Sequence, residues 1–115
     1  MTERMNRVVG RPRRLHSPRG TYKPSSTILI RRPYRYGNPF DWREHGRAGA
    51  VEMHAAWIVA PDSEPIRLGK IVYLPASVEE IRGDLQGFNL GCNCPEDGEP
   101  CHGETLLAIA NGDPQ

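Results

Sequence analysis

All three cysteines of this 115-residue chain fall inside ten residues. The run is Cys92-Asn93-Cys94-Pro95, then a Glu96-Asp97-Gly98-Glu99-Pro100 turn, then Cys101-His102-Gly103. An odd cysteine count beside a histidine suits a metal or thiol site in a reducing compartment better than a disulfide framework. In an extended chain residues i and i+2 point the same way, so Cys92 and Cys94 offer two thiolates on one side. The turn brings Cys101 and His102 back to meet them. Three sulfurs and one imidazole nitrogen are a common tetrahedral zinc set, and zinc removes the charge problem of crowded thiolates. The expectation is a zinc ion on Cys92, Cys94, Cys101 and His102. Two other readings stay open. Cys101 is also placed as a nucleophile at a helix N-terminus, where the dipole lowers a thiol pKa and His102 serves as base. The plainest reading is three small buried cysteines and a surface histidine.

The charge is divided along the chain. Residues 1–36 carry ten Lys and Arg against Glu3 alone, a formal +9, whereas residues 37–115 carry five basic residues and thirteen acids, a formal −8. This reads as a basic arm on an acidic body. The arm either folds back on the body or meets a phosphate-rich partner. Residues 1–25 have no apolar period and too few large apolar groups to offset their ordering entropy, so a flexible arm is expected there. Its candidate nucleic-acid contacts are Arg11, Arg13, Arg14 and Arg19. Val9-Gly10-Arg11-Pro12-Arg13-Arg14 is similar to an AT-hook core, with Val9 where a full motif has Arg. A host protein is the other partner such an arm could reach.

Residues 26–115 are expected to form one small domain. Ser26–Arg31, centred on Thr27-Ile28-Leu29-Ile30, reads as the first strand, and Gly37-Asn38-Pro39 as a turn. Residues 46–59 read as a helix, with Ala48, Val51, Ala55 and Ile58 at helical spacing and Met53 and Trp57 widening the stripe. On this helix His54 is read as a surface or half-buried residue. Ile71–Leu74 follows as a second strand or an extended loop. Ser77 with Glu80 is a capping box, and the helix behind it buries Val78, Ile81 and Leu85 up to Gly87. Phe88–Cys92 is a strand, and a last helix runs from about 103 to 110, stopped by Asn111-Gly112. Strand–helix alternation predicts an α/β domain: a small mixed or parallel sheet of about three strands flanked by about three helices. Ligands of such sheets sit beyond the C-terminal strand ends. Arg32, Gly37 and Asn38 fall at such an end and form a candidate site for a phosphate or carboxylate. Phe40 and Trp42 are candidate cover for it.

The chain also resembles a known family. The segments that carry the likeness are Ile30-Arg31-Arg32-Pro33 with Gly37-Asn38-Pro39-Phe40, and Leu85–Cys94 with Cys101-His102-Gly103-Glu104 and the Leu107–Asn111 end. They are similar to the domain of unknown function 4326, over about residues 27–111. Arg31 stands where that pattern has Gly, and Asn93 where it has an aromatic. The resemblance implies an intracellular, phage-encoded protein, hence one of the host cytoplasm, and brings no established activity. No run of about 18 apolar residues is present to span a membrane. Neither a P-loop nor a complete zinc-deaminase pattern occurs. Two functions follow. One is a phage-type accessory protein with a zinc site and a basic arm for nucleic acid or a host protein. The alternative is a small enzyme or ligand-binding domain for a nucleotide, nucleobase or other phosphorylated small molecule.

Overall fold

The computed structural model describes residue 8 and residues 11–16, 26–92 and 101–112. The α/β class expected from the sequence is what the chain adopts. A parallel sheet is built from β1 (Arg14–His16), β2 (Thr27–Leu29) and β5 (Asn89–Cys92), in the order β1-β5-β2. Helices α1 (Trp42–His45), α2 (Arg47–Ile58), α3 (Val78–Leu85) and α4 (His102–Asn111) accompany it, with a separate hairpin of β3 (Ile66–Leu68) and β4 (Ile71–Tyr73).

Local chemistry sets the helix ends. The Asp41 carboxylate accepts from the Arg43 amide, and the Ser77 hydroxyl from the Glu80 amide at 3.0 Å, as the capping box predicts. Gly112, at φ 61°, closes α4 by donating its amide to the Ala108 carbonyl. α3 and α4 pack on each other, α4 lies over β5 and β1, and α2 packs on α4. Between them Ile30, Ile58, Ile81, Leu85, Leu90, Leu106 and Ala110 form the buried core.

Three features differ from the sequence expectation. The strand at 71–73 does not enter the main sheet. It pairs antiparallel with β3 across Gly69-Lys70, and Gly69 takes the left-handed φ of 61° that such a tight link needs. Ile71 and Val72 stay exposed, and of β4 Tyr73 alone is buried.

The third strand of the sheet comes instead from the segment expected to be an arm. β1 pairs with β5 in the register Arg14↔Leu90, Leu15↔Gly91 and His16↔Cys92. The Arg13 carbonyl accepts from the Leu90 amide at 3.0 Å, and the Arg13 amide donates to Asn89 Oδ1 at 2.9 Å. This docking is made by backbone groups, which hydrophobic patterning does not register. The rest of the expected arm, apart from Val8 and residues 11–13, lies outside the described residues.

The buried face of α2 is also turned. Ala50, His54 and Ile58 are buried whereas Ala48 and Met53 are exposed. The i, i+4, i+8 stripe therefore runs through a histidine.

Among the described residues no helix is long and apolar enough to cross a membrane.

Candidate thiolate centre and basic groove

Parallel pairing sends β1, β2 and β5 out of the sheet at the same end. β5 stops at Cys92 there, and α4 begins there with Cys101 as its N-cap. The two sulfurs lie 3.3 Å apart and both residues are buried. Cys101 Sγ also accepts the Gly103 amide at 3.4 Å, the place a Ser or Asp oxygen takes in most caps. From β1 the Arg14 guanidinium reaches the same point. Its Nη1 donates to Cys92 Sγ at 3.2 Å and its Nε to Glu104 Oε1 at 3.2 Å. Burial alone would lower the Arg14 pKa, but the hydrogen bond to Cys92, the charges of Cys92 and Cys101 and the hydrogen bond to Glu104 outweigh it and raise the pKa. The Arg14 guanidinium and the Gly103 amide at the start of α4 thus each contact one of two adjacent sulfurs.

His102 follows Cys101 and directs its Nε2 at the backbone of Ile30. Its Nε2 lies 2.7 Å from the Ile30 carbonyl oxygen, so that nitrogen carries the proton and donates. Burial lowers the His102 pKa despite the backbone hydrogen bonds to Ile30 and Tyr36, which favour the charged form. Its ring meets that of His54 edge-on, with centroids 5.2 Å apart. His54 is fully buried, and neither of its ring nitrogens has a hydrogen-bond partner among the described residues. Burial first, and then the neighbouring His102, push its pKa down to about 3.

Of the four residues expected to share a zinc ion, Cys92 and Cys101 are brought together. His102 Nε2 is directed at the Ile30 carbonyl, and Cys94 lies outside the described residues. Among the described residues no three His, Cys, Asp or Glu side chains stand where they could hold one ion. The same orientation leaves His102 Nε2 unable to act as a base toward Cys101.

Arg32, Gly37 and Asn38 do stand together beyond the end of β2, and the chain's own backbone engages them. Arg32 Nε donates to the Asn38 carbonyl at 2.7 Å, across a loop that starts with a cis Arg32–Pro33 bond. The Asn38 side chain donates to the Ala50 carbonyl at 3.2 Å and accepts from the Phe40 amide at 2.9 Å. A Cβ on Gly37 would stand 3.0 Å from the Arg32 nitrogen and 3.1 Å from the Arg31 carbonyl, so glycine alone lets this loop close. Phe40 packs edge-on to Trp57, and Trp42 is exposed beneath the Arg43 guanidinium.

The candidate nucleic-acid contacts gather more closely. Arg11, Arg13 and Arg14, with Pro12, form one wall of a groove of about 440 Å³ whose other wall is Glu104, Leu107 and Asn111 of α4. Arg11 and Arg13 are exposed. Arg14 joins this groove to the sulfurs behind it. Arg19 lies outside the described residues. Sequence reasoning named these arginines for their charge but missed both the wall that faces them and buried His54. The spacing of His54 with Ala50 and Ile58 was the available signal.

No curated protein and no solved structure matches the chain. The family model described as domain of unknown function 4326 matches residues 13–112, a span that begins at the residue whose backbone docks β1 and ends at the glycine that closes α4. The chain belongs to that family.

Proposed function

We propose that the protein binds nucleic acid along the groove between the Arg11–Arg14 segment and α4. The observation that carries this reading is that Arg11, Arg13 and Arg14 line one groove, with Glu104 the single carboxylate among the described lining residues. Arg11 and Arg13 are two residues apart, about 6.6 Å along an extended chain, so they can meet successive backbone phosphates. Lys and Arg contacts to phosphate give affinity without sequence preference. The acidic remainder of the chain repels a polyanion elsewhere and directs it to this face. The groove also has the volume of a small-ligand site, which favours a mononucleotide or other phosphorylated small molecule as a second reading.

Fluorescence anisotropy with labelled single-stranded and duplex oligonucleotides tests both. Binding should weaken steeply with salt, and the double change Arg11→Ala and Arg13→Ala should reduce the log–log salt slope by about 2. Salt-insensitive binding, or an unchanged slope in the double variant, removes nucleic acid. Tight binding of a mononucleotide that blocks the oligonucleotide favours the small-molecule reading.

For the sulfur centre we propose a zinc ion held by Cys92, Cys94 and Cys101. Zinc–sulfur bonds of about 2.3 Å in a tetrahedral site put sulfurs about 3.8 Å apart, half an ångström wider than the present pair. Three thiolates on one Zn²⁺ leave a single negative charge, which the Arg14 guanidinium offsets. In this role the ion ties α4 to the sheet and fixes Arg14 beside the groove.

A further inference from the structure

We infer that Cys92 and Cys101 form a reversible disulfide when the protein meets a peroxide, and that this bond takes from Arg14 its sulfur partner. Three observations carry the inference. The sulfurs are 3.3 Å apart, so closing the bond to about 2.05 Å requires a movement of little more than an ångström. The two residues lie on elements of the folded core, the end of β5 and the N-cap of α4, so the pair meets by fold rather than by chance encounter. Arg14 Nη1 contacts Cys92 Sγ at 3.2 Å and the Gly103 amide contacts Cys101 Sγ at 3.4 Å, so each sulfur is held in position beside the other.

Access is narrow, since both cysteines are buried. Arg14 lines the groove and its guanidinium also touches Cys92, so the groove side offers a molecule as small as hydrogen peroxide an approach to the sulfurs. The Cys92 thiolate attacks one peroxide oxygen. The O–O bond breaks, the second oxygen leaves as water after taking a proton, and Cys92 becomes a sulfenic acid. The Cys101 sulfur then attacks the Cys92 sulfur, and the hydroxyl departs as a second water. In total two thiols lose two electrons and two protons to one peroxide, giving one disulfide and two waters. A dithiol reductant reverses the step by exchange. The disulfide sulfur carries no charge, so Arg14 loses the attraction of Cys92 while its ion pair with Glu104 remains. A zinc ion on these sulfurs would have to leave first, because metal and disulfide use the same lone pairs. The inference therefore does not require the zinc reading.

The test uses the full chain, both as purified and after treatment with a chelator, exposed to hydrogen peroxide and then alkylated. Peptide mapping should find a Cys92–Cys101 link, the mass lower by two hydrogen atoms, and full reversal by dithiothreitol. Cys94→Ser should form the same link, which keeps the test decisive if the stripped wild-type chain loses its fold. Arg14→Gln, which keeps a hydrogen-bond donor without the charge, should oxidise severalfold more slowly. A link through Cys94, or sulfinic acid on either cysteine with no link in both the stripped protein and Cys94→Ser, would overturn the inference. Either result leaves the groove reading standing, because that is judged by oligonucleotide binding under reducing conditions.

Discussion

The Arg14 side chain reaches Cys92 across the face of α4 at Gly103, where a side chain would crowd it. A Cβ on Gly103 would stand 3.0 Å from Arg14 Cδ and 3.0 Å from Ile30 Cδ1. The first turn of α4 is thus pressed against the Arg14 stem on one side and the core on the other. Beyond that crossing the guanidinium divides between Cys92 and Glu104. The glycine behind the Cys-His pair is explained by this close approach.

Gly103→Ala should therefore lower stability by about 1–3 kcal/mol, the usual cost of an added methyl in a packed site. Urea unfolding measures it. The same variant should weaken oligonucleotide binding under reducing conditions, since Arg14 must shift. A variant as stable as the wild type would show that the stem is not held there.

Removing residues 1–16 should destabilise the domain rather than trim an idle arm, because β1 covers one edge of β5. Asn89→Ala gives the finer measurement. It takes away the acceptor of the Arg13 amide and should cost about 1 kcal/mol. Amide exchange at Leu90, which donates to the Arg13 carbonyl, should speed up in both proteins.

Acid should unfold the protein through His54. Its folded pKa is about 3 against an ordinary value of 6.5. Above pH 6.5 both states hold it neutral and it contributes no pH dependence. As pH falls from 6.5 toward 3 the unfolded chain takes the proton and the folded one does not, so stability drops by about 1.4 kcal/mol per pH unit. His102, also lowered by burial, acts in the same direction. His54→Leu should flatten the slope over this window and leave neutral-pH stability equal or higher, since it removes two buried nitrogens that have no partner among the described residues. An unchanged acid profile would clear His54 of this role.

Protein purified without chelator is expected to carry about one zinc per chain, held by the three thiolates of Cys92, Cys94 and Cys101. Elemental analysis reads the stoichiometry, and Cys94→Ser should lower it together with the melting temperature. A well-folded wild-type chain with no zinc would remove the ion from the sulfur centre and leave the Cys92–Cys101 pair as a free dithiol.

Much of the frame was legible in local pattern. The Ser77 capping box, the stop at Gly112 and the short apolar strand at Thr27–Leu29 each depend on residues within one turn or strand. The meeting of Cys92 and Cys101 also followed from eight intervening residues with a turn. Arg32, Gly37 and Asn38 were correctly placed past a strand end, but their bonds to the Asn38, Ala50 and Tyr34 carbonyls could not be read from spacing.

The sequence by itself determined the α/β class, the order of most elements, the family and the crowding of the cysteines, because short-range spacing carries all four. Tertiary structure decided what surrounds those cysteines. Arg14 joins Cys92 across 78 positions and Glu104 across 90, and His102 finds the Ile30 carbonyl across 72. His54 became a core residue for the same kind of reason, since α2 turned that face toward α4. Contacts at such separations depend on how the sheet pairs and which helix face is covered. Backbone pairing of β1 with β5, invisible to hydrophobic period, is what set both Arg14 beside the sulfurs and Arg11 and Arg13 along the groove.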